Sequence, residues 1–410
     1  MDPRTASRVE KLKRLTEKDD KNNVWPISSK SDQNPLGDPN VNKESRETKT
    51  KNRVAKKTRL NEVNFLLCFR LFNQMVRERG EKNVFICSYS ISVMMAMLRN
   101  FEEAEIYHSI SDPYKVEELT IQDINEYYWD QNDYIRHFDK NIDLLFANIL
   151  YHAQTVELPE IFINNLKEYF ECEVVKLDFL LPDSINIINS LVASKTNNKI
   201  TNIVSLPLLP SAKFFLINAI YFKGTWAEKF DVKHTKQGVF FLNNGSSAEV
   251  SMMHQKEKFR YFENEDFQAV ELPYEGKRVS MYVFLPKNPK QGTEAVQHVN
   301  EENYHSWLAE FQEIIVDLSL PRFKATFSDH IHLLLEKMGI LNVPDLTSIL
   351  HNAVIEVNEE GTEAAAVTSF KFYKSYVRNV EMVVDHPFLF TIHHHYLNTI
   401  LFMGLINDPD

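Results

Sequence analysis

From Asn61 onward the chain alternates between two hydrophobic periods. Val63, Leu66, Leu67, Leu71 and Phe72 recur at helical spacing and Gly80 follows as a stop, which predicts a first helix. A second is predicted after Ser88, and a third from Pro159 to Phe170 that brings Ile161, Leu166 and Phe170 toward one face. Ser328, ahead of Ile331, Leu333, Leu334 and Leu335 with Gly339 beyond them, has the N-cap serine and C-terminal glycine of a fourth. Strand character is concentrated later. Ala353 to Val357 (AVIEV) is rich in β-branched residues, and the apolar runs Val383 to Ile392 and Thr399 to Ile406 are joined by HHHYLN as a hairpin. Helices clustered early and strands clustered late, with no internal repeat, predict an α+β fold and not a βαβ alternation.

Between two of these strand runs the pattern lapses. Asn358 to Thr368, NEEGTEAAAVT, is small and polar, and the connection it opens reaches about Val380, some 23 residues in all. Structureless connections longer than about 12 to 15 residues are usually functional or disordered. The other reading is a solvated helix capped by Asn358, since Glu363 to Ala366 are good helix formers. Gly361 and the lack of an apolar stripe argue against that helix, which would bury nothing. On these residues alone both readings stand.

Charge divides the 410 residues near Arg59. Residues 1–59 carry 16 Lys or Arg and 9 Asp or Glu, a net of +7, whereas the whole chain is at −11, leaving −18 for 60–410. The first part is poor in aromatics and contains the turn-forming SDQNPLGDPN, so it is predicted to be a disordered basic extension ahead of a single domain at 60–410. Within it, Lys49 to Arg59 (KTKNRVAKKTR) is either a solvating tail or a segment for polyanion contact or nuclear import.

Several function classes lack their signatures. There is no GxSxG elbow, no HExxH and no GxxxxGK[ST], so no enzyme activity and no cofactor are expected. His393 to His395 are read as an exposed turn and not a metal site, because three consecutive side chains at a hairpin tip converge poorly on one ion. Cys68, Cys87 and Cys172 cannot all pair within one chain, and they lack metal-site spacing, which points to a reducing compartment. Apolar runs such as Phe214 to Phe222, interrupted by Asn218, fall well short of the roughly 18 residues of a membrane span. The first 25 residues have no apolar h-region, so a cytoplasmic or nuclear location is expected, with unconventional export as the other route.

Several blocks in order resemble one family. EVNEEGTEAAAVT, DHPFLF (Asp385 to Phe390) and ILFMGLINDP (Ile400 to Pro409) resemble the hinge, reactive loop and C-terminal strands of a serpin. NAIYFKGTW (Asn218 to Trp226) resembles its central strand, and SLVASKTNNKITNIV (Ser190 to Val204) the helix and turn before it. VDLSLPRFK (Val316 to Lys324) and ELPYEGKRVSMYVFLP (Glu271 to Pro286) resemble its later strands. The resemblance runs from about Leu60 to Asp410 and excludes the basic extension.

The resemblance implies an α+β serpin fold of three β-sheets, about eight or nine helices and an exposed reactive centre loop at about 358–380. It implies a monomeric inhibitor of a serine protease, or of a cysteine protease, that acts as a suicide substrate and traps the enzyme covalently through a conformational change. Glu359, Glu360, Gly361, Thr362, Glu363, Ala364, Ala365, Ala366, Val367 and Thr368 would be its hinge. In a strand Thr362, Ala364, Ala366 and Thr368 share one face, and all four are small enough to pass between separating strands. Ser90, Asn218 and His351 match the family's polar shutter, and Trp226 the tryptophan where the loop meets the sheet. The other reading of Asn218 and His351 is a hydrogen-bonded core pair without switching function.

Counting forward from Glu359 places the cleaved bond between Ser375 and Tyr376, while counting backward from Pro387 gives Tyr376 and Val377. A hinge shorter by one gives Lys374 and Ser375, and Arg378 remains a further candidate. Lysine suits a pocket with a buried carboxylate and tyrosine an apolar slot. Phe370, Phe372 and Tyr373 add aromatic side chains that either recognise a partner or pack on insertion. Three departures bear on inhibition. Cys87 and Ser88 stand where the family has serine and proline, Arg99 to Tyr107 lacks a glycine-rich turn, and Ile340 to Leu350 is short. The alternative function is a non-inhibitory serpin-fold binding protein that engages a partner through its loop or basic tail.

Overall fold

The first helix is longer than its apolar stripe. It runs from Pro39 to Arg79 (α1), beginning inside the stretch expected to be disordered. The computed structural model describes residues 39–101, 119–138, 142–205, 212–289, 298–300, 302–340, 346–360 and 379–409. It divides into Met1–Val54 and Ala55–Asp410, so the boundary precedes the expected one at Arg59. Within the second unit Lys56 Nζ lies 2.7 Å from Asp123 and Lys57 Nζ 2.8 Å from Asp130. These ion pairs hold a turn of helix that has no apolar stripe. They also commit two cations of the expected polyanion segment to partners within the fold.

In chain order there follow β1 (Val84–Ile86), α2 (Ser88–Leu98), α3 (Ile121–Phe138), β2 (Ile142–Ala153), α4 (Glu160–Phe170), β3 (Glu173–Leu177) and α5 (Ser184–Lys195). Next come β4 (Phe214–Gly224), β5 (Lys236–Phe241), β6 (Ser247–Glu263), β7 (Phe267–Pro273) and β8 (Val279–Pro286). The last are α6 (Tyr304–Glu310), β9 (Gln312–Pro321), β10 (Phe323–His330), α7 (His332–Lys337), β11 (Leu346–Val357), β12 (Asn379–Val383), β13 (Phe388–His394) and β14 (Thr399–Ile406). Among the described residues there are thus seven α-helices, fewer than the eight or nine expected.

Two sheets result. One has five strands in the order β10–β11–β4–β2–β3, and the other nine, in the order β1–β14–β13–β8–β7–β6–β9–β12 with β5 on β6. Three sheets were expected, and the length of β6 explains the difference. It pairs with β5 from Ser247 to Met252, with β9 from Met252 to Tyr261 and with β7 from Arg260 to Glu263, so one ladder joins two of them. The architecture is α+β. The core between the sheets includes every residue of α2.

Local expectations were corrected where tertiary contacts overrode them. On α4 the buried face is Phe162, Leu166 and Phe170, while Ile161 is 60% exposed, because adjacent helical positions lie about 100° apart. Ser328 is not a helix cap. It belongs to β10, whose inner positions Phe323, Ala325 and Phe327 follow the strand period, and the short α7 starts after Ile331 with Leu333 exposed. The expected hairpin forms between β13 and β14, but Val383 belongs to β12. His393 and His394 are not in an exposed turn. They continue β13, a central strand between β8 and β14, and are buried.

Candidate functional site

The five-stranded sheet has two parallel joints, β2–β3 at its edge and β11–β4 in its interior. β11 runs parallel to β4, from Leu346 opposite Phe214 to Ile355 opposite Phe222, while the β10–β11 and β4–β2 pairs on either side are antiparallel. β11 ends at Val357, and Asn358, Glu359 and Glu360 are the last described residues before 361–378. A strand doubling back from this point would run antiparallel to both β11 and β4. It would replace one parallel ladder with two antiparallel ones, the slightly more stable pairing.

The top of that joint is held by side chains from three directions. Trp226 donates from Nε1 to Asn358 O at 2.9 Å and from its backbone N to Glu360 O at 3.2 Å, and Phe230 N donates to Glu359 O at 3.0 Å. Tyr274 stacks on the indole, 4.5 Å between centroids and 10° between planes. Glu359, 3% exposed, accepts from Arg322 Nε at 2.7 Å, from Arg322 Nη2 and from Thr235 Oγ1. Burial pushes its pKa up, but the bonds from Arg322 and Thr235 outweigh that and hold the carboxyl below its usual value.

Lower in the same joint lies a buried polar chain. His351 on β11 and Asn218 on β4 are register partners, and Asn218 is in turn opposite Asn148 on β2. The backbone N–H of Cys87 donates to His351 Nε2 at 3.2 Å, so the imidazole carries its proton on Nδ1 and donates to Asn218 Oδ1 at 2.8 Å. Ser90 Oγ, from α2, lies 2.8 Å from the same oxygen, and Asn218 Nδ2 donates to Asn148 Oδ1 at 2.8 Å. Burial lowers the His351 pKa from 6.5 to about 3, so the ring is neutral. The chain ties α2, β11, β4 and β2 together across the parallel joint.

A family model described as Serpin (serine protease inhibitor) matches residues 62–409. The chain belongs to the serpin family. It is 30% identical over 368 residues to the leukocyte elastase inhibitor of Xenopus laevis, covering 83% of this chain and 97% of that one. It is 32% identical over 388 residues to Serpin B4 of Homo sapiens, covering 85% and 99% respectively. Among solved structures it is similar to a thyroxine-binding globulin complex with thyroxine, at 25% identity and a TM-score of 0.75, covering 85% of this chain and 99% of that one.

In this serpin Ser90, Asn218 and His351 form one hydrogen-bonded group, and Trp226 bonds to Asn358 and Glu360 at the top of the joint. Gly361 to Thr368 and the bond candidates Lys374, Ser375, Tyr376, Val377 and Arg378 lie outside the described residues, as do Phe370, Phe372 and Tyr373. Sequence reasoning missed Asn148, Thr235, Tyr274 and Arg322. Arg322 and Tyr274 fall in blocks that carry the resemblance, but their roles depend on neighbours far along the chain. Cys87 donates to His351 through its backbone N–H, a bond that does not involve the cysteine side chain.

Proposed function

We propose that this serpin inhibits a serine endopeptidase by suicide trapping. The enzyme's serine attacks a loop carbonyl near Ser375, the peptide bond breaks with release of the new amine, and an acyl-enzyme ester remains on the loop. The strap from Gly361 to Thr368 then enters between β11 and β4, carries the enzyme away, and deforms its active site before water can release it. The observation that supports this best is the parallel β11–β4 joint in the interior of the five-stranded sheet, which lies between two antiparallel pairs and is bridged by side-chain hydrogen bonds at its top and middle. Small residues at Thr362, Ala364, Ala366 and Thr368 add to it.

The native form is then a kinetically trapped one, above an inserted state with more ladder hydrogen bonds. The test is incubation with trypsin-like, chymotrypsin-like and elastase-like serine proteases, and with a papain-like cysteine protease. The expected product is a complex that survives boiling in detergent, together with a nicked form that melts higher than the intact chain. Mass mapping assigns the bond among Lys374, Ser375, Tyr376, Val377 and Arg378. Simple cleavage without trapping, and without gain in melting temperature, would make the protein a serpin-fold binder instead.

A further inference from the structure

Ten residues beyond Ser90, and about 15 Å along the same rod, Asn100 sits just past the C-terminus of α2. Its side chain uses all of its hydrogen-bonding capacity. Nδ2 donates to Ala96 O and to Asn125 Oδ1 of α3, both at 2.9 Å, while Oδ1 accepts from Asn125 Nδ2 at 2.8 Å and from Asn165 Nδ2 of α4 at 3.1 Å. Asn100 and Asn125 are buried, and Asn165 is half-buried. Three amides from three helices thus share one knot.

The three helices do not belong to one body once the parallel joint opens. Opening between β11 and β4 leaves β4 with β2 and β3, to which β4 is joined by the antiparallel ladder from Gly224 to Phe214. α4 lies between β2 and β3 in the chain, and Asn148 Nδ2 of β2 reaches Phe170 O at its end, so α4 travels with them. α2 stays with the nine-stranded sheet, where Ser88 Oγ donates to Ile400 O at 2.9 Å. α3 is held there too, through Lys57 of α1 and through Tyr134 stacked on Tyr396 at 4.4 Å. The bond from Asn165 to Asn100 therefore crosses the line of movement, while the reciprocal Asn100–Asn125 pair does not.

We propose that the Asn165 to Asn100 hydrogen bond is a second latch on sheet opening, remote from the Ser90–Asn218–His351 group, and that Asn125 is the positioning residue that keeps the Asn100 oxygen aimed at α4. This rests on the inhibitory reading above. The latch slows strand insertion in the intact chain, and it is irrelevant once the strand is in.

The experiment follows uptake of a synthetic peptide with the Gly361–Phe372 sequence by full-length protein, as the appearance of a higher-melting form over time. Asn165→Ala removes the donor and leaves Asn100 Oδ1 still bonded by Asn125. It is expected to raise the uptake rate about tenfold, the effect of one hydrogen bond on a barrier. Asn165→Asp, which places two acceptors face to face, should raise it further, and the melting temperature of the peptide-loaded form should not change in either variant. Equal uptake rates in wild type and both variants would overturn the latch alone. So would equal losses of melting temperature in the intact and loaded forms, since these mark a merely structural role. A wild type that takes up no peptide and gains nothing on nicking would overturn the inhibitory reading, and the latch with it.

Discussion

Arg322 and Glu359 meet at the point where β11 ends. The guanidinium grips one carboxylate oxygen through Nε and Nη2, and the same oxygen accepts from Thr235. Arg322 follows β9 directly and its backbone N donates to Ser251 O, so the clasp ties the stem of the loop to the nine-stranded sheet.

Removing that carboxylate should loosen the top of the joint. Glu359→Ala is expected to cost about 1–2 kcal/mol, because Arg322 is exposed enough to regain water while Thr235 loses its acceptor. Melting temperature should fall by about 2–4 °C. Mild heating should then produce oligomers on a native gel, as the opened parallel joint accepts a strand from another copy. A variant that melts like the wild type would mean that the clasp contributes nothing.

His351 makes stability depend on pH in a defined direction. Its folded pKa of about 3 lies below the unfolded 6.5, so the unfolded chain binds the proton more readily. Its contribution is complete above pH 6.5, and it declines as pH falls from 6.5 toward 3. Between pH 6.5 and 5 the loss is about 2 kcal/mol. His393, which burial also depresses, adds to the same slope. Denaturant melts at pH 7 and pH 5 should differ by at least this amount, and His351→Asn should flatten the profile to the part that His393 supplies.

Gly224 has no room for a side chain. A methyl there would lie 2.6 Å from Tyr274 Cδ1, on the ring that stacks against Trp226. Gly224→Ala is therefore expected to cost about 1–3 kcal/mol through overpacking. It should also alter Trp226 fluorescence in the native state, which a change confined to the unfolded state would leave alone.

The proposed insertion of the strap is open to a charge test. On the proposed mechanism, Ala366→Arg would bring a large cation between β11 and β4 on insertion, and burying it is costly. The variant should still be cut by the target protease, yet lose at least tenfold in detergent-stable complex, so that an inhibitor becomes a substrate. Retained trapping would show that Ala366 does not enter the sheet.

Much of the fold was legible because it depends on local period. The helix after Ser88, the β13–β14 hairpin and the strand at Ala353 to Val357 follow from apolar spacing within each segment. Where the reading failed, a distant partner had decided. Ser328 looks like a cap until β11 pairs with it, and His393 and His394 look exposed until β8 and β14 enclose their strand. Lys56 and Lys57 look like free cations until Asp123 and Asp130 face them.

The order of residues alone determined many of the helices and strands, that Thr362, Ala364, Ala366 and Thr368 are all small at alternate positions, and which family the blocks resemble. Sequence separation hid the rest. His351 lies 133 residues from Asn218, and Arg322 lies 37 from Glu359. Hydrogen bonds and ion pairs act over a few ångströms, so only the folded chain selects which polar groups satisfy one another across the parallel joint.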